Sequence, residues 1–262
     1  MRVDFTTANA RRVQFDLEHD PSCVADLNTK AFAGMTGGMC EPATAQAMAH
    51  ILREGDFALD VGANIGFFSV LMSRLVGNAG RIYAFEPGVN NVSRLRANLA
   101  CSVCENVRVL EQPLWRKAEQ VRLHLFLDGG RNSLAPDAES RSSMCLPALT
   151  LDIFLRDVRS PRLIKLDVEG AEQAILEGGV GAVDPEKVPF ILCELHEAAL
   201  QKFGYSQKSL RQVATSLGYQ TFRISEDGSR SLLVPDDHAL RPQNTNYVVL
   251  FSTPNAVFEA WS

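Results

Sequence analysis

Residues Ala58 to Gly66, Ala-Leu-Asp-Val-Gly-Ala-Asn-Ile-Gly, constrain the fold of this chain more than any other stretch. An apolar run ends in an acid and a glycine-containing turn, and Phe67-Phe68 through Leu75 follow with the apolar spacing of a helix. Strand, tight turn and helix in that order open a sheet whose strands are covered on both faces. Gly62 and Gly66 have no Cβ, so the main chain can turn sharply and a ligand can approach it closely. Asn64, between them, is among the few other residues that tolerate a left-handed backbone. The spacing is acid-x-Gly-x-Asn-x-Gly, not Gly-x-Gly-x-x-Gly. A pyrophosphate favours bare backbone donors at a helix start, whereas Asp60 would repel it, so the turn suits a cationic or hydroxyl-bearing ligand.

Strand and helix patterns then alternate. Arg81 to Glu86 reads as a second buried strand, followed by a helix capped by Asn90 or Asn91 and carrying Val92, Leu95 and Leu99. Val107 to Leu110, Leu163 to Val168 and Pro189 to His196 supply three more strands, and Ser206 caps a helix bearing Leu210, Val213, Ala214 and Leu217. The alternation predicts an α/β protein with a doubly wound, mostly parallel sheet, finished by an antiparallel C-terminal pair at Tyr219–Ile224 and Tyr247–Phe251. Val3, Phe5 and Thr7, then Val13, Phe15 and Leu17, alternate as an N-terminal hairpin, and Gly34 to Gly38 reads as a loop. The division expected is residues 1–40 as an N-terminal extension and 41–262 as one domain, with an inserted strand pair and loop at 119–150. Within that insertion, Arg131, Asn132 and Ser133 sit on a polar stretch from Asp128 to Ser143, a kind of loop that acts as a lid when it is not plain surface.

Asp60-Val61-Gly62-Ala63-Asn64-Ile65-Gly66, followed downstream by Leu163-Ile164-Lys165-Leu166-Asp167-Val168-Glu169-Gly170-Ala171-Glu172, resembles the FkbM-type family of S-adenosylmethionine-dependent methyltransferases. The resemblance covers roughly residues 35–200. It implies a Rossmann-like class I methyltransferase fold, S-adenosylmethionine as the methyl donor, and O-methylation of a hydroxyl on a sugar or polyketide-like natural product. It places Asp60, Gly62, Asn64 and Gly66 in the cofactor turn. Glu41 matches an acid that precedes the family's first motif and so implies a cofactor contact, the rival reading being a carboxylate favoured at a helix N-terminus. In this fold the loop after the third strand meets the adenine, which points to Glu111 or Gln112, although Gln112-Pro113-Leu114-Trp115 is bulkier than the family's small residues. Asp152 reads as a helix cap ahead of the fourth strand.

The remaining candidates follow from position and chemistry. Glu86 ends the second strand, where an acid accepts hydrogen bonds from ribose hydroxyls. Asp60, Glu86, Asp167, Glu194 and His196 all fall at the carboxyl edge of the sheet, where such folds bind their ligands. An alcohol attacking a sulfonium methyl must lose its proton, and His196 has the most suitable intrinsic pKa for a base. Asp167 is the alternative base, or orients the acceptor hydroxyl. Lys165, in a central strand, needs Asp167 or Glu194 as a partner. Asp167, Glu194 and His196 could also gather a divalent cation such as Mg²⁺, or the acids and the lysine could neutralise one another.

Composition narrows the rest. The net charge is −5, and no run of basic residues offers a footprint for nucleic acid, so a small hydroxylated acceptor is expected. No window reaches the length of a membrane span. Six scattered cysteines and an N-terminus without an apolar core lead to the expectation of reduced thiols in a cytoplasmic protein. Cys101-Ser102-Val103-Cys104 has half a zinc spacing and no second half. Oligomeric state has no signature here. Competing readings are an N-methyltransferase acting on a small amine, a catalytically silent cofactor-binding module, and a nicotinamide oxidoreductase. The oxidoreductase lacks its glycine fingerprint.

Overall fold

A computed structural model describes residues 2–6, 12–16, 41–126, 132–225, 230–233 and 247–262. Strands are β1 (Arg2–Thr6), β2 (Arg12–Asp16), β3 (Phe57–Val61), β4 (Arg81–Phe85), β5 (Val107–Leu110), β6 (Gln120–Leu125), β7 (Ser142–Pro147), β8 (Leu163–Leu166), β9 (Phe190–Leu195), β10 (Gln220–Ile224), β11 (Arg230–Leu233) and β12 (Tyr247–Ser252). The helices described are α1 (Pro42–Ile51), α2 (Phe67–Val76), α3 (Val89–Cys101), α4 (Leu151–Arg156), α5 (Glu172–Glu177), α6 (Glu197–Gln201), α7 (Gln207–Ser216) and α8 (Pro254–Trp261).

Eight strands form one sheet in the order β11-β10-β12-β9-β8-β3-β4-β5. From β9 to β5 all neighbours are parallel, as buried strands joined by helices must be. β12 then runs antiparallel to β9 and β10 antiparallel to β12, the expected C-terminal pair. β11 adds an eighth strand on β10 that the sequence reading did not include. The β1–β2 hairpin pairs Val3 with Phe15 in register, and β6 pairs with β7 as a separate ribbon, Val121 opposite Leu146.

Side-chain alternation divides the core between the two faces. Ala58, Ile82, Leu163 and Leu192 pack under α1 and α2, while Leu59, Val61, Ile164, Leu166 and Cys193 pack under α4, α5 and α7. On the first face the pattern is broken by polar residues. Asp60 and Lys165 are register partners across β3 and β8, and both are buried. The sheet reverses direction of travel at β3, and the ends of β3 and β8 there meet at a switch point, where open α/β sheets form their crevice.

Local signals differed from expectation in three places. Gly88 caps α3, so neither Asn90 nor Asn91 does, and Asn90 instead contacts the insertion. Thr150 caps α4 by accepting from the Ile153 amide at 3.1 Å, while Asp152 accepts from the Gly181 and Ala182 amides. The run Glu169-Gly170-Ala171-Glu172 reads as a helix start, but α5 begins only at Glu172, because Glu169 (φ 55) and Gly170 (φ 102) are left-handed and form a turn. The Gly34–Gly38 loop, Cys23, Cys40 and Arg131 lie outside the described residues. The four described cysteines form no disulfide among the described residues, and Cys101 and Cys104 join no group of potential metal ligands there. No described helix is long and apolar enough to cross a membrane.

Candidate active site

Three strand ends build the site. After β3 the chain passes through Gly62 (φ 81), Asn64 (φ 50) and Gly66 (φ 93). A Cβ on Gly62 would stand 1.8 Å from the Asp167 carbonyl oxygen, so only glycine lets the ends of β3 and β8 approach this closely. The Gly62 and Ala63 amides donate to the Phe85 carbonyl at 3.0 and 2.9 Å, tying the turn to β4. Just past β4, the buried Glu86 carboxylate accepts from the Asn64 amide and from the Gly88 amide, each at 2.8 Å. Burial pushes this carboxyl up to about 7, even though both amides favour its charged form.

Below the turn lies a charge cluster. The Lys165 ammonium is 3.0 Å from Asp167 Oδ2, 3.4 Å from Asp60 Oδ1 and 5.0 Å from the Phe68 ring centre. Ser69 donates its hydroxyl to Asp60 Oδ2 at 2.6 Å. Burial disfavours the charged form of Lys165, but Asp167, Asp60 and Glu41 outweigh it and hold its pKa well above the ordinary lysine value. Burial likewise opposes ionisation of Asp167, and Lys165 prevails, holding it below the usual carboxylate range. Glu194, half-buried, is pushed well up by desolvation and then by the Asp167 charge. Glu41 rises to about 7 by burial and then by Asp167, with its backbone left-handed at φ 45. Glu41, Asp167 and Glu194 each offer a carboxylate oxygen within 4.8 Å of the others.

Above the cluster opens a pocket of roughly 690 Å³, open to solvent. Gly62, Asn64 and Glu86 form one wall, Asp167, Val168 and Glu169 another, and Asn132, Ser133 and Leu134 of the insertion lie across them. The structure therefore brings Gly62, Asn64, Glu86 and Asp167 to one cavity, while Asp60 and Lys165 are buried behind it. Gly66 is used for packing: a Cβ there would sit 2.5 Å from Leu95 Cδ1. Gln112 is half-buried and not among the lining residues, Glu111 pairs with Arg96 at 2.6 Å, and Pro113 and Leu114 line the cavity in their place.

His196 is also absent from the lining. β9 ends at Leu195, and the His196 carbonyl starts α6 by accepting from the Ala199 and Leu200 amides, each at 3.0 Å. The acid group expected as Asp167, Glu194 and His196 thus forms with Glu41 in the place of the histidine. Alternation continued through His196 would set it on the face of Glu194, but the strand stops one residue too early. Sequence reasoning also missed Glu172, whose buried Oε1 accepts from the Val168 and Gly170 amides at 3.1 and 3.2 Å and braces the turn after β8. An acid in a first helical turn, placed after a glycine, was the available signal.

Comparison with known proteins agrees with this architecture. The methyltransferase FkbM domain matches residues 60–221, from the buried acid of β3 into β10. The chain belongs to the FkbM methyltransferase family. It is accordingly an S-adenosylmethionine-dependent methyltransferase of the class I fold. It is 28% identical over 177 residues to the 31-O-demethyl-FK506 methyltransferase FkbM of Streptomyces tacrolimicus, across 56% of this chain and 67% of that protein. To the hexuronic acid methyltransferase AglP of Haloferax volcanii it is 27% identical over 154 residues, across 55% of this chain and 57% of that protein. The chain thus spans about two thirds of one curated relative and little more than half of the other. Among solved structures, a TehB-like SAM-dependent methyltransferase from Corynebacterium glutamicum shares the fold with a TM-score of 0.50 at 11% identity, covering 89% of this chain and 97% of that one.

Proposed function

We propose that this FkbM-family chain transfers the methyl group of S-adenosylmethionine to a hydroxyl oxygen of a sugar or polyketide-like acceptor, with Asp167 receiving the hydroxyl proton. The observation that carries this reading is the position of Asp167. It is the member of the acid group whose pKa is held low, its side chain is 25% exposed, and it lines the pocket beside Gly62. The names of the two relatives, a 31-O-demethyl-FK506 methyltransferase and a hexuronic acid methyltransferase, support oxygen as the acceptor atom.

The residues present fit this donor. Glu86 offers a carboxylate to the ribose hydroxyls, Asn64 and Gly62 offer close backbone approach, and the acidic wall suits a sulfonium and an ammonium. Pro113 and Leu114 offer an apolar face to the adenine. S-adenosylmethionine supplies an activated methyl. An acceptor oxygen taking that methyl, with the electron pair of the broken S–C bond left on sulfur, would become strongly acidic. A carboxylate is then base enough, and the proton passes to Asp167. The geometry favours Asp167 over His196 in this role because only Asp167 faces the cavity. Lys165 and Glu194 position Asp167 and set its charge.

Three carboxylate oxygens also suit a hard divalent cation. A cation already stands among them, the Lys165 ammonium 3.0 Å from Asp167, and burial disfavours the charged form of Glu194, so the reaction is expected to proceed without a metal. Turnover should therefore be unchanged by a chelator and by added Mg²⁺.

The deciding experiment is calorimetric titration of S-adenosylmethionine, followed by mass detection of methylated products from a panel of sugar and polyketide-like alcohols, for wild type and Asp167→Asn. Donor binding retained by Asp167→Asn with turnover reduced about a hundredfold or more is expected. Amine products, or an Asp167→Asn enzyme as active as wild type, would overturn the assignment.

A further inference from the structure

The inserted β6–β7 ribbon does more than border the pocket. Leu123, Asn132, Ser133 and Leu134 are its contribution to the lining, and the two polar residues are fastened to opposite walls. Asn132 Nδ2 donates to Asn90 Oδ1 on α3 at 3.3 Å, and Asn132 Oδ1 accepts from the Phe126 amide at 3.0 Å. Asn90 Nδ2 closes the ring by donating to the Phe126 carbonyl at 3.4 Å. This fastening lies directly over the glycine that holds Glu86: a Cβ on Gly88 would stand 2.4 Å from Asn132 Nδ2 and 2.7 Å from Glu86 Oε1. On the other side, the buried Ser133 hydroxyl donates to the Glu169 carbonyl at 3.3 Å. Ser133 is itself held to β6 by a pair of backbone bonds with His124 at 2.8 and 3.1 Å. Two adjacent residues therefore bridge the β4 side and the β8 side of one cleft.

We propose that Asn132 and Ser133 are positioning residues that hold the methyl donor in its pocket, so that the exchange of donor and demethylated product requires the release of the Asn132–Asn90 and Ser133–Glu169 bonds. This rests on the pocket's being the S-adenosylmethionine site. A ligand of drug-like size in a cleft loses most of its exposed surface, and a roof pinned to both walls slows its exit without touching the reacting atoms. The two bonds act on affinity and residence time and leave the methyl transfer step alone.

The test is stopped-flow displacement of bound S-adenosylhomocysteine, with calorimetric titration of S-adenosylmethionine, on wild type, Asn132→Ala, Ser133→Ala and Asn90→Ala. Arg122→Ala is the control, because Arg122 joins the two ribbon strands through Ser143 and reaches neither wall. Dissociation faster by about three- to tenfold in each of the first three variants is expected, as the net loss of one hydrogen bond predicts, with donor Kd raised in parallel. The Arg122→Ala control should match wild type. With an acceptor in hand, KM for the donor should rise while kcat is unchanged or increases. Asn90→Ala reads the same fastening from α3 if Asn132→Ala does not fold. Dissociation within twofold of wild type in Asn90→Ala and Ser133→Ala, or an equal acceleration in Arg122→Ala, would overturn the proposal. Wild type that binds neither ligand would instead overturn the cofactor assignment of the pocket, a separate result.

Discussion

At Gly62 two requirements coincide in one residue. Its φ of 81 is in the left-handed region, and the space where a side chain would begin is filled by the Asp167 carbonyl. Gly62→Ala is expected to destabilise the protein by about 3 kcal/mol or more, read as a lower urea midpoint, because neither strand end can withdraw without breaking the sheet. Glu86 carries a different prediction. Burial raises its pKa to about 7, so near neutral pH it is partly protonated in the free protein. Ribose hydroxyls donating to it favour the charged form, so donor binding should tighten as pH rises from 6 to 8 and release a proton. Glu86→Gln should bind more weakly and lose this pH dependence; calorimetry in buffers of different ionisation enthalpy measures both. The sequence disclosed Gly62, Asn64 and Glu86 because the turn and the strand end that carry them are local features. Glu41 was legible only through the family resemblance, since its carboxylate reaches the site from outside the contiguous motifs.

At the scale of elements, β8 shows what a strand pattern can and cannot reveal. Alternation along the strand puts Leu163, Lys165 and Asp167 on one face, and the packing of Lys165 against Phe68 of α2 follows it. The partners could not be read from the strand itself. Register with β3 sets Asp60 opposite Lys165, and the buried pair forms across two strands distant in sequence. Lys165→Met should leave Asp60 and Asp167 uncompensated and cost on the order of 3–5 kcal/mol in urea unfolding. Adding Asp60→Asn to that variant should recover part of the loss. A double variant no more stable than the single would show that the ion pair is not what the lysine provides. At the end of β9 the same alternation misleads, since α6 starts at the first residue beyond the strand and removes His196 from the face that Glu194 occupies.

For the whole molecule, the carboxyls of Glu41, Glu86 and Glu172 are each raised by burial to about 7. Raised acids bind protons more tightly when folded, so their contribution to stability is full below the unfolded value and is lost as pH rises through about 7. Asp167 has the opposite sign, contributing above its unfolded value and losing that contribution as pH falls through its lowered folded value. Free protein should therefore be more stable at pH 6 than at pH 8, by on the order of 1–3 kcal/mol, measured by urea unfolding at the two values. Glu172→Gln should flatten that slope, because its Oε2 is buried with no hydrogen-bond partner and becomes a buried charge as pH rises. A protein whose stability rises from pH 6 to 8 would contradict the burial of these acids.

The sequence by itself determined the sheet and its turn. Apolar periodicity, glycine at left-handed positions and acids at strand ends are written within short windows, and each has one low-energy local solution. Strand count at the edge, the helix start after Glu169 and the membership of the charge cluster were decided only by tertiary structure. Those depend on which strand lies beside which, on where Glu41 arrives, and on the reach of Asn132 and Ser133 across the cleft. A side chain's partner at long sequence distance is fixed by register and packing, and no local spacing encodes either.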